Sequence, residues 1–173
     1  MSNRSDLHGV QWEEVEEATE LLLEGQTDAA VAHLTDVLRR DPSNAYAHYF
    51  MAGVCFERED FESARASYAT ALRHAPGYRG ALLGLGHACR LLGRLEEAVR
   101  AGERALAMAG DRGDADAHFL LGTTYAVGGN TAEAIRHIEA YLASHPEMES
   151  RYEAEALLQT LQGKARPLEP ADD

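Results

Sequence analysis

Eight histidines, two cysteines and a run of glutamates are the side chains of this 173-residue chain suited to catalysis or metal binding. His48 and His118 occupy equivalent places in a longer repeat, as do His33 and His137. A zinc site wants ligands one helical turn apart or a paired-cysteine knuckle, and neither H-E-x-x-H nor C-x-x-C occurs. Histidines filling a packing column are the simpler reading, and neither a metal nor another cofactor is expected. Cys55 and Cys89 also share a column. Stacked helices sit roughly 8–10 Å apart, beyond the ~7 Å between Cα atoms that a disulfide tolerates, so both read as small buried apolar side chains. His87 lies two residues before Cys89 and points to another side of a helix, which leaves no thiol–base pair. The segment WEEVEEATELLLE carries Glu13, Glu14, Glu16, Glu17, Glu20 and Glu24. Carboxylates spread along a helix without a cavity do no acid–base work. They read as a solvated face, with a region for a basic partner as the second reading. The glycines of GLGHACRLLG and GTTYAVGGN follow no strand and form no phosphate loop. No nucleophile, base and oxyanion donor converge, so an enzyme is not expected.

Composition sets the elements that must position these residues. Sixteen Lys+Arg against 29 Asp+Glu give a net charge of −13. That charge repels phosphate backbones, and no basic cluster interrupts it, which argues against nucleic-acid binding. Apolar residues make up 45 %, enough for a folded core. Thirty alanines against 17 β-branched residues favour helix. No stretch approaches the ~18 apolar residues of a membrane helix, and Met1 to Val10 lacks the apolar core of a signal peptide. A soluble cytoplasmic protein is the expectation. Lys164 is the sole lysine, which suits a GC-rich bacterial genome and carries no mechanism.

Repetition organises the chain. Pro42 and Pro76 lie 34 residues apart; Pro146 follows 70 residues later, two periods plus two residues that fit the GDRGD turn near Gly110. In that register Ala18, Ala52, Gly86 and Gly122 form one column, Ala30, Ala64, Ala98 and Ala134 a second, and Leu38, Leu72, Leu106 and Leu142 a third. Gly25, Gly93 and Gly129 mark a mid-repeat turn, with Glu59 in the remaining register. Small residues let helix backbones approach, the mid-repeat glycine permits the positive φ of a helix end, and proline stops the second helix. Ser43, Asp60 and Asn130 (with Glu133 three residues on) read as helix starts. The pattern predicts an all-α fold of helix pairs near residues 10–24 and 27–40, 45–58 and 61–74, 78–92 and 95–109, 114–127 and 131–144. A ninth helix spans 148–162, with Tyr152, Ala156, Leu157 and Leu161 covering the last repeat.

Period, small residues, second-helix alanine and closing proline together resemble the tetratricopeptide repeat family. The resemblance covers residues 11–163 and implies a right-handed α-solenoid. It divides the chain into a flexible N-terminus (1–10), four repeats (11–44, 45–78, 79–114 and 115–148), a capping helix and a disordered acidic tail (164–173). Repeats 45–78 and 115–148 match most closely. The third has Gly102 where a large residue usually packs, and the first puts Glu14 and Glu17 at usually apolar places, as suits an uncovered end.

The resemblance also implies that the first helices line a concave side. Helical wheels then turn inward Trp12, Val15, Thr19 and Leu22 from the first repeat, and Tyr46, Tyr49, Phe50 and Phe56 from the second. Leu83, His87 and Arg90 follow from the third, and Phe119 from the fourth. The second repeat is rich in aromatics beyond its stacking columns. They read either as a hydrophobic binding groove or as packing against the preceding helix, and both readings stand for Tyr46, Tyr49, Phe50 and Phe56. Family members that clamp a C-terminal carboxylate use Lys, Asn and Arg here; Val15, Thr19, Phe50, Gly80 and Gly84 cannot form that clamp. The expected function is therefore a non-enzymatic adaptor binding an apolar peptide or helix, with basic ligand residues meeting the acidic rim. Arg90 and His87 would face one acidic group, unless Arg90 pairs with Glu57. In the groove reading, Tyr49→Ala weakens binding and leaves the melting temperature nearly unchanged. The alternatives are self-assembly into a homo-oligomer through Trp12, Val15 and Leu22, or an accessory subunit of a larger bacterial complex.

Overall fold

The structure is a computed structural model that describes residues 4–109, 114–144 and 146–163. Among these residues every regular element is a helix: α1 (Arg4–Glu13), α2 (Glu16–Leu23), α3 (Thr27–Arg40), α4 (Ala45–Glu57), α5 (Phe61–His74), α6 (Arg79–Leu91), α7 (Leu95–Ala109), α8 (Ala115–Val127), α9 (Thr131–Ala143) and α10 (Met148–Leu161). From α2 onward each helix packs on its chain neighbour, α1 lies against α4, and the first helices α4, α6 and α8 also touch one another in turn, as a solenoid requires. The turn at Gly110 and the tail from Lys164 lie outside the described residues.

The alternating small and large columns explain the stacking. Ala18, Ala52, Gly86 and Gly122 are all buried, as are Ala30, Ala64, Ala98 and Ala134. A side chain at Gly86 would place its Cβ 2.3 Å from Leu120 of the next first helix. The mid-repeat turns are uniform. Gly25, Gly93 and Gly129 have φ of 74°, 72° and 74°, and Glu59 adopts φ 60° in the same register, where a side chain crowds the backbone.

Gly102 leaves room that its neighbour fills: Leu121 and Leu120 of α8 lean into it. The mirror arrangement occurs one repeat earlier, where Tyr68 of α5 lies over Gly84 of α6. A bulky side chain is thus met by glycine across each of these two contacts, which keeps the interior filled without overpacking.

The N-terminus departs from expectation. The first described helix runs from Arg4 rather than from near residue 10, and it is broken at Glu14–Val15, which makes ten helices among the described residues where nine are expected. The cause is local. The Val15 amide donates to Trp12 rather than to Gln11, and the released Gln11 carbonyl accepts from the Asn44 side chain at 3.0 Å. Gln11 also donates to Asp41, and the His33 ring lies 3.0 Å from the Glu14 carbonyl. The Gln11 contacts hold the end of α1 against the start of α4, and the helix extends back to Arg4.

Asn44, rather than Ser43, caps α4: it is fully buried and its side-chain oxygen accepts from the Ala47 amide. Asp60 and Asn130 cap α5 and α9 as expected. Glu133 turns to Arg136 instead of completing a capping box. In α10 the covering face is Ala154, Leu157 and Leu158, packed on Ile138 and Tyr141. Leu157 covers the last repeat as expected, while Tyr152 stays 65 % exposed and Ala156 is exposed too, their places taken by Ala154 and Leu158.

Candidate functional site

Aromatic side chains of the first two repeats form one connected ribbon. Trp12 meets Tyr46 edge-on at 5.5 Å between ring centroids and Phe50 at 6.1 Å. Tyr49 meets Phe50 at 5.3 Å, Tyr68 at 5.7 Å and Tyr78 at 4.7 Å, while Tyr46 meets Tyr78 at 5.3 Å. Edge and tilted arrangements of this kind are the favourable ones for ring quadrupoles. Trp12 remains 42 % exposed. Tyr46, Tyr49 and Phe50 are half-buried, so each packs on the core with one side and shows the other to solvent. An open cleft of about 570 Å³ runs beside Tyr46, Tyr78 and Gly80. Gly80 matters here, since a Cβ would lie 3.3 Å from both the Tyr49 and Tyr78 rings.

Two expected site residues fall elsewhere. Val15 is fully buried with Ala18, Leu34, Val37 and Ala47, because the break before it turns its side chain into the core; it cannot touch a partner. Phe56 packs on Phe61 at the mid-repeat turn, 5.2 Å between centroids, apart from the ribbon. Leu22 is half-buried near the end of α2. Tyr68 and Tyr78, absent from the expected set, complete the ribbon. Burial pushes the Tyr68 phenol up to about 12 and raises that of Tyr78 further. The signal for Tyr78 was its place just after the Pro76–Gly77 turn, where the next first helix begins.

A second group lies toward the C-terminus. Leu83 and His87 of α6, Phe119 of α8 and Tyr141 of α9 line a cavity of about 270 Å³ with Asp116 and with Ser150 and Glu153 of α10. Phe119 and Tyr141 rings are 4.9 Å apart. Burial and then the Arg90 charge hold His87 below its ordinary pKa, which keeps it neutral at pH 7. Among the described residues Arg90 makes no ion pair, so the Glu57 partnership does not form, and its buried Nε has no hydrogen-bond partner. Burial lowers its pKa. Arg79, by contrast, grips Asp114 with two hydrogen bonds and reaches Asp116 at 3.0 Å. Burial opposes the Asp114 charge, but the Arg79 and Ala117 bonds outweigh it and lower its pKa.

Among the described residues no three His, Cys, Asp or Glu side chains group to hold a metal ion. Burial raises both cysteine thiols, which makes them poor nucleophiles. His118 and His137 instead bond to each other, Nδ1 to Nδ1 at 2.9 Å. Arg136, which only donates, lies 3.0 Å from Nε2 of His137. His137 therefore carries its proton on Nδ1 and donates to His118. A second proton on buried His137 would face the Arg136 guanidinium. Desolvation, Arg136 and His118 hold its pKa down at about 4, against a small opposing pull from Glu133. His118 is lowered by the same burial and by Arg136, with Asp114 opposing.

The sign follows from linkage. The unfolded chain takes up protons near pH 6.5 and the folded chain only near 4, so stability is complete above about pH 6.5 and falls toward pH 4. His137→Gln is expected to remove about 2 kcal/mol of the loss between pH 7 and pH 5, read by urea denaturation at each pH. Parallel losses in both proteins would exclude the pair as the source.

Paired helices, a stacked row of first helices and left-handed mid-repeat turns define a helix-pair solenoid. The tetratricopeptide repeat profile matches residues 15–77, 56–113 and 103–149, and the chain belongs to that family. Its members generally serve as protein-interaction modules. Anaphase-promoting complex subunit 7 of Arabidopsis thaliana is 29 % identical over 127 residues, 73 % of this chain; the chain spans 22 % of that relative's length. Among solved structures, MamA superposes with a TM-score of 0.72 at 21 % identity, covering 92 % of this chain and 85 % of MamA. YrrB, described as a tetratricopeptide repeat protein with an unusual peptide-binding site, gives 0.71 at 21 % identity, covering 88 % and 78 %. These likenesses show the fold. Among the described residues no helix is long and apolar enough to cross a membrane.

Proposed function

We propose that this chain is a non-enzymatic adaptor whose first-helix face, the concave side in this family, binds a peptide or helix of another protein. The observation that carries the reading is the half-open aromatic ribbon, with Trp12 at its edge and the cleft beside Tyr46 and Tyr78. Rings fixed by their neighbours lose little entropy on contact, which suits them as anchors. Leu83 and Phe119 extend the apolar track toward α10. Unpaired Arg90, next to His87, is placed to meet one acidic group of the ligand. The peptide-binding description of YrrB agrees with this use of the fold.

Peptides selected against the immobilised chain from a random displayed library test the reading. Selected peptides are expected to carry apolar or aromatic residues and to bind Trp12→Ala at least 10-fold more weakly, the typical effect of a hot-spot ring. Arg39→Ala, on the exposed second-helix side, should bind normally. Equal losses in both variants, or none in either, would remove the groove.

Exposed Val10, Trp12 and Leu23 on the first two helices support a second reading, in which the chain docks on copies of itself. Burial of Val15 narrows that surface. Light scattering over a dilution series separates the two, since an adaptor stays monomeric. The relative in the anaphase-promoting complex supports a third use, as a subunit of a larger assembly.

A further inference from the structure

We infer that the cavity between α6, α8 and α10 receives a lysine or arginine side chain of the bound protein segment. This rests on the adaptor reading and adds a residue-level preference to it. The cavity, about 270 Å³, is lined by Leu83, Phe119 and Tyr141 together with His87, Ser150 and the carboxylate-bearing Asp116 and Glu153. That layout matches a long cationic side chain. The aliphatic stem lies on Leu83, the charged head lies near ring faces that attract cations, and the carboxylates take its hydrogen bonds. Asp116 already holds Arg79 on one side. Glu153 is exposed and, among the described residues, has no ion pair or hydrogen bond, so its charge is available. His87 adds no opposing charge, because burial and Arg90 keep it neutral at pH 7. Arg79 is already paired with Asp114 and Asp116, so the unpaired positive charge on this side is Arg90, one turn further along α6 from His87. An acidic residue on the ligand would meet it there, so the preferred segment carries an acidic residue near the basic one. The chain's net charge of −13 draws basic segments in.

The probe is a pair of blocked hexapeptides, Ac-Ala-Leu-Arg-Leu-Ala-Glu-amide and the same sequence with norleucine for arginine. Each is titrated into the uniformly ¹⁵N-labelled full chain and followed by the amide shifts of Leu83, His87, Phe119, Ser150 and Glu153. The arginine peptide is expected to bind at least 10-fold more tightly. Glu153→Gln should cut that affinity about 5-fold and leave the norleucine peptide unchanged. Raising NaCl from 0.1 to 0.4 M should weaken only the arginine peptide. If both peptides shift the same amides with equal affinity, or Glu153→Gln has no effect on the arginine peptide, the cation pocket is wrong while the groove stands. If the arginine peptide instead shifts Glu13 to Glu24, the charge preference belongs to the acidic surface around the α1–α2 break and the pocket is again wrong. If neither peptide moves any first-helix amide, both the pocket and the adaptor reading fall.

Discussion

Gly86→Val is expected to lower the free energy of unfolding by about 3 kcal/mol, at the upper end of what overpacking usually causes. A Cβ at this position lies 2.3 Å from a methyl of Leu120, and Leu120 is itself fully buried with no room to retreat. Helix propensity works the other way, since any side chain stabilises a helix relative to glycine by up to about 1 kcal/mol. Alanine gains most of that and adds the least volume, so Gly86→Ala should lose only about 1 kcal/mol net. Valine adds two methyl groups and gains little propensity, so sterics dominate. The damage falls on the contact between α6 and α8, the joint between the third and fourth repeats. In a one-dimensional array that joint uncouples first. Hydrogen exchange should therefore show α8, α9 and α10 losing protection before α4 and α5. A uniform loss, or no loss, would mean Leu120 does not sit where the packing places it. Pairing Gly86→Val with Leu120→Ala checks the contact itself, because the two changes should be less than additive.

Tyr49→Ala is expected to lower stability by about 2–3 kcal/mol as well as weaken partner binding, below the 3–5 typical of a wholly buried aromatic because one side of the ring is open. The sequence pattern alone predicts a binding effect with an unchanged melting temperature. The ring contacts overturn that expectation: Tyr49 touches Phe50, Tyr68 and Tyr78 and lies over Gly80, so removing it opens a gap at the joint of the second and third repeats. Tyr49→Phe keeps the ring. It should change stability by less than about 0.5 kcal/mol, since the hydroxyl makes no hydrogen bond among the described residues. Equilibrium urea unfolding of the three proteins decides it. A stable Tyr49→Ala would mean the ring is a pure ligand contact, and an unstable Tyr49→Phe would mean the hydroxyl has a structural partner.

How much of this was legible follows from the range of each cause. Gly25, Gly93 and Gly129 are readable because a left-handed turn is a demand on one residue; the same register holds Glu59, whose φ of 60° the structure supplies. The alanine columns were readable because helix approach imposes the same size limit in every repeat. The pairing of Tyr68 with Gly84, and of Gly102 with Leu121, was not. Each glycine is visible in the sequence, but which neighbour fills the space depends on how two helices from different repeats meet. Gly102 looked like a departure from the family pattern and is instead half of a matched pair. Val15 misled because a helical wheel assumes an unbroken helix, and Asn44, 33 residues from Gln11, captures the carbonyl that the break releases. Tyr78 joins the ribbon through rings of α4, a contact between the cap of α6 and the preceding first helix that its place after the Pro76–Gly77 turn suggests but a helical wheel does not cover. The ribbon is therefore neither pure groove nor pure core, and its aromatics serve both.

The most direct measurement is a photo-crosslinking scan in cells of the native host, with a benzophenone amino acid placed singly at Trp12, Leu83 and Phe119 on the first-helix face and at Arg39, Arg73 and Glu139 on the second helices. The account predicts crosslinks to one shared polypeptide from the first set and none to it from the second. Crosslinks confined to the second-helix positions, or to another copy of this chain alone, would contradict it.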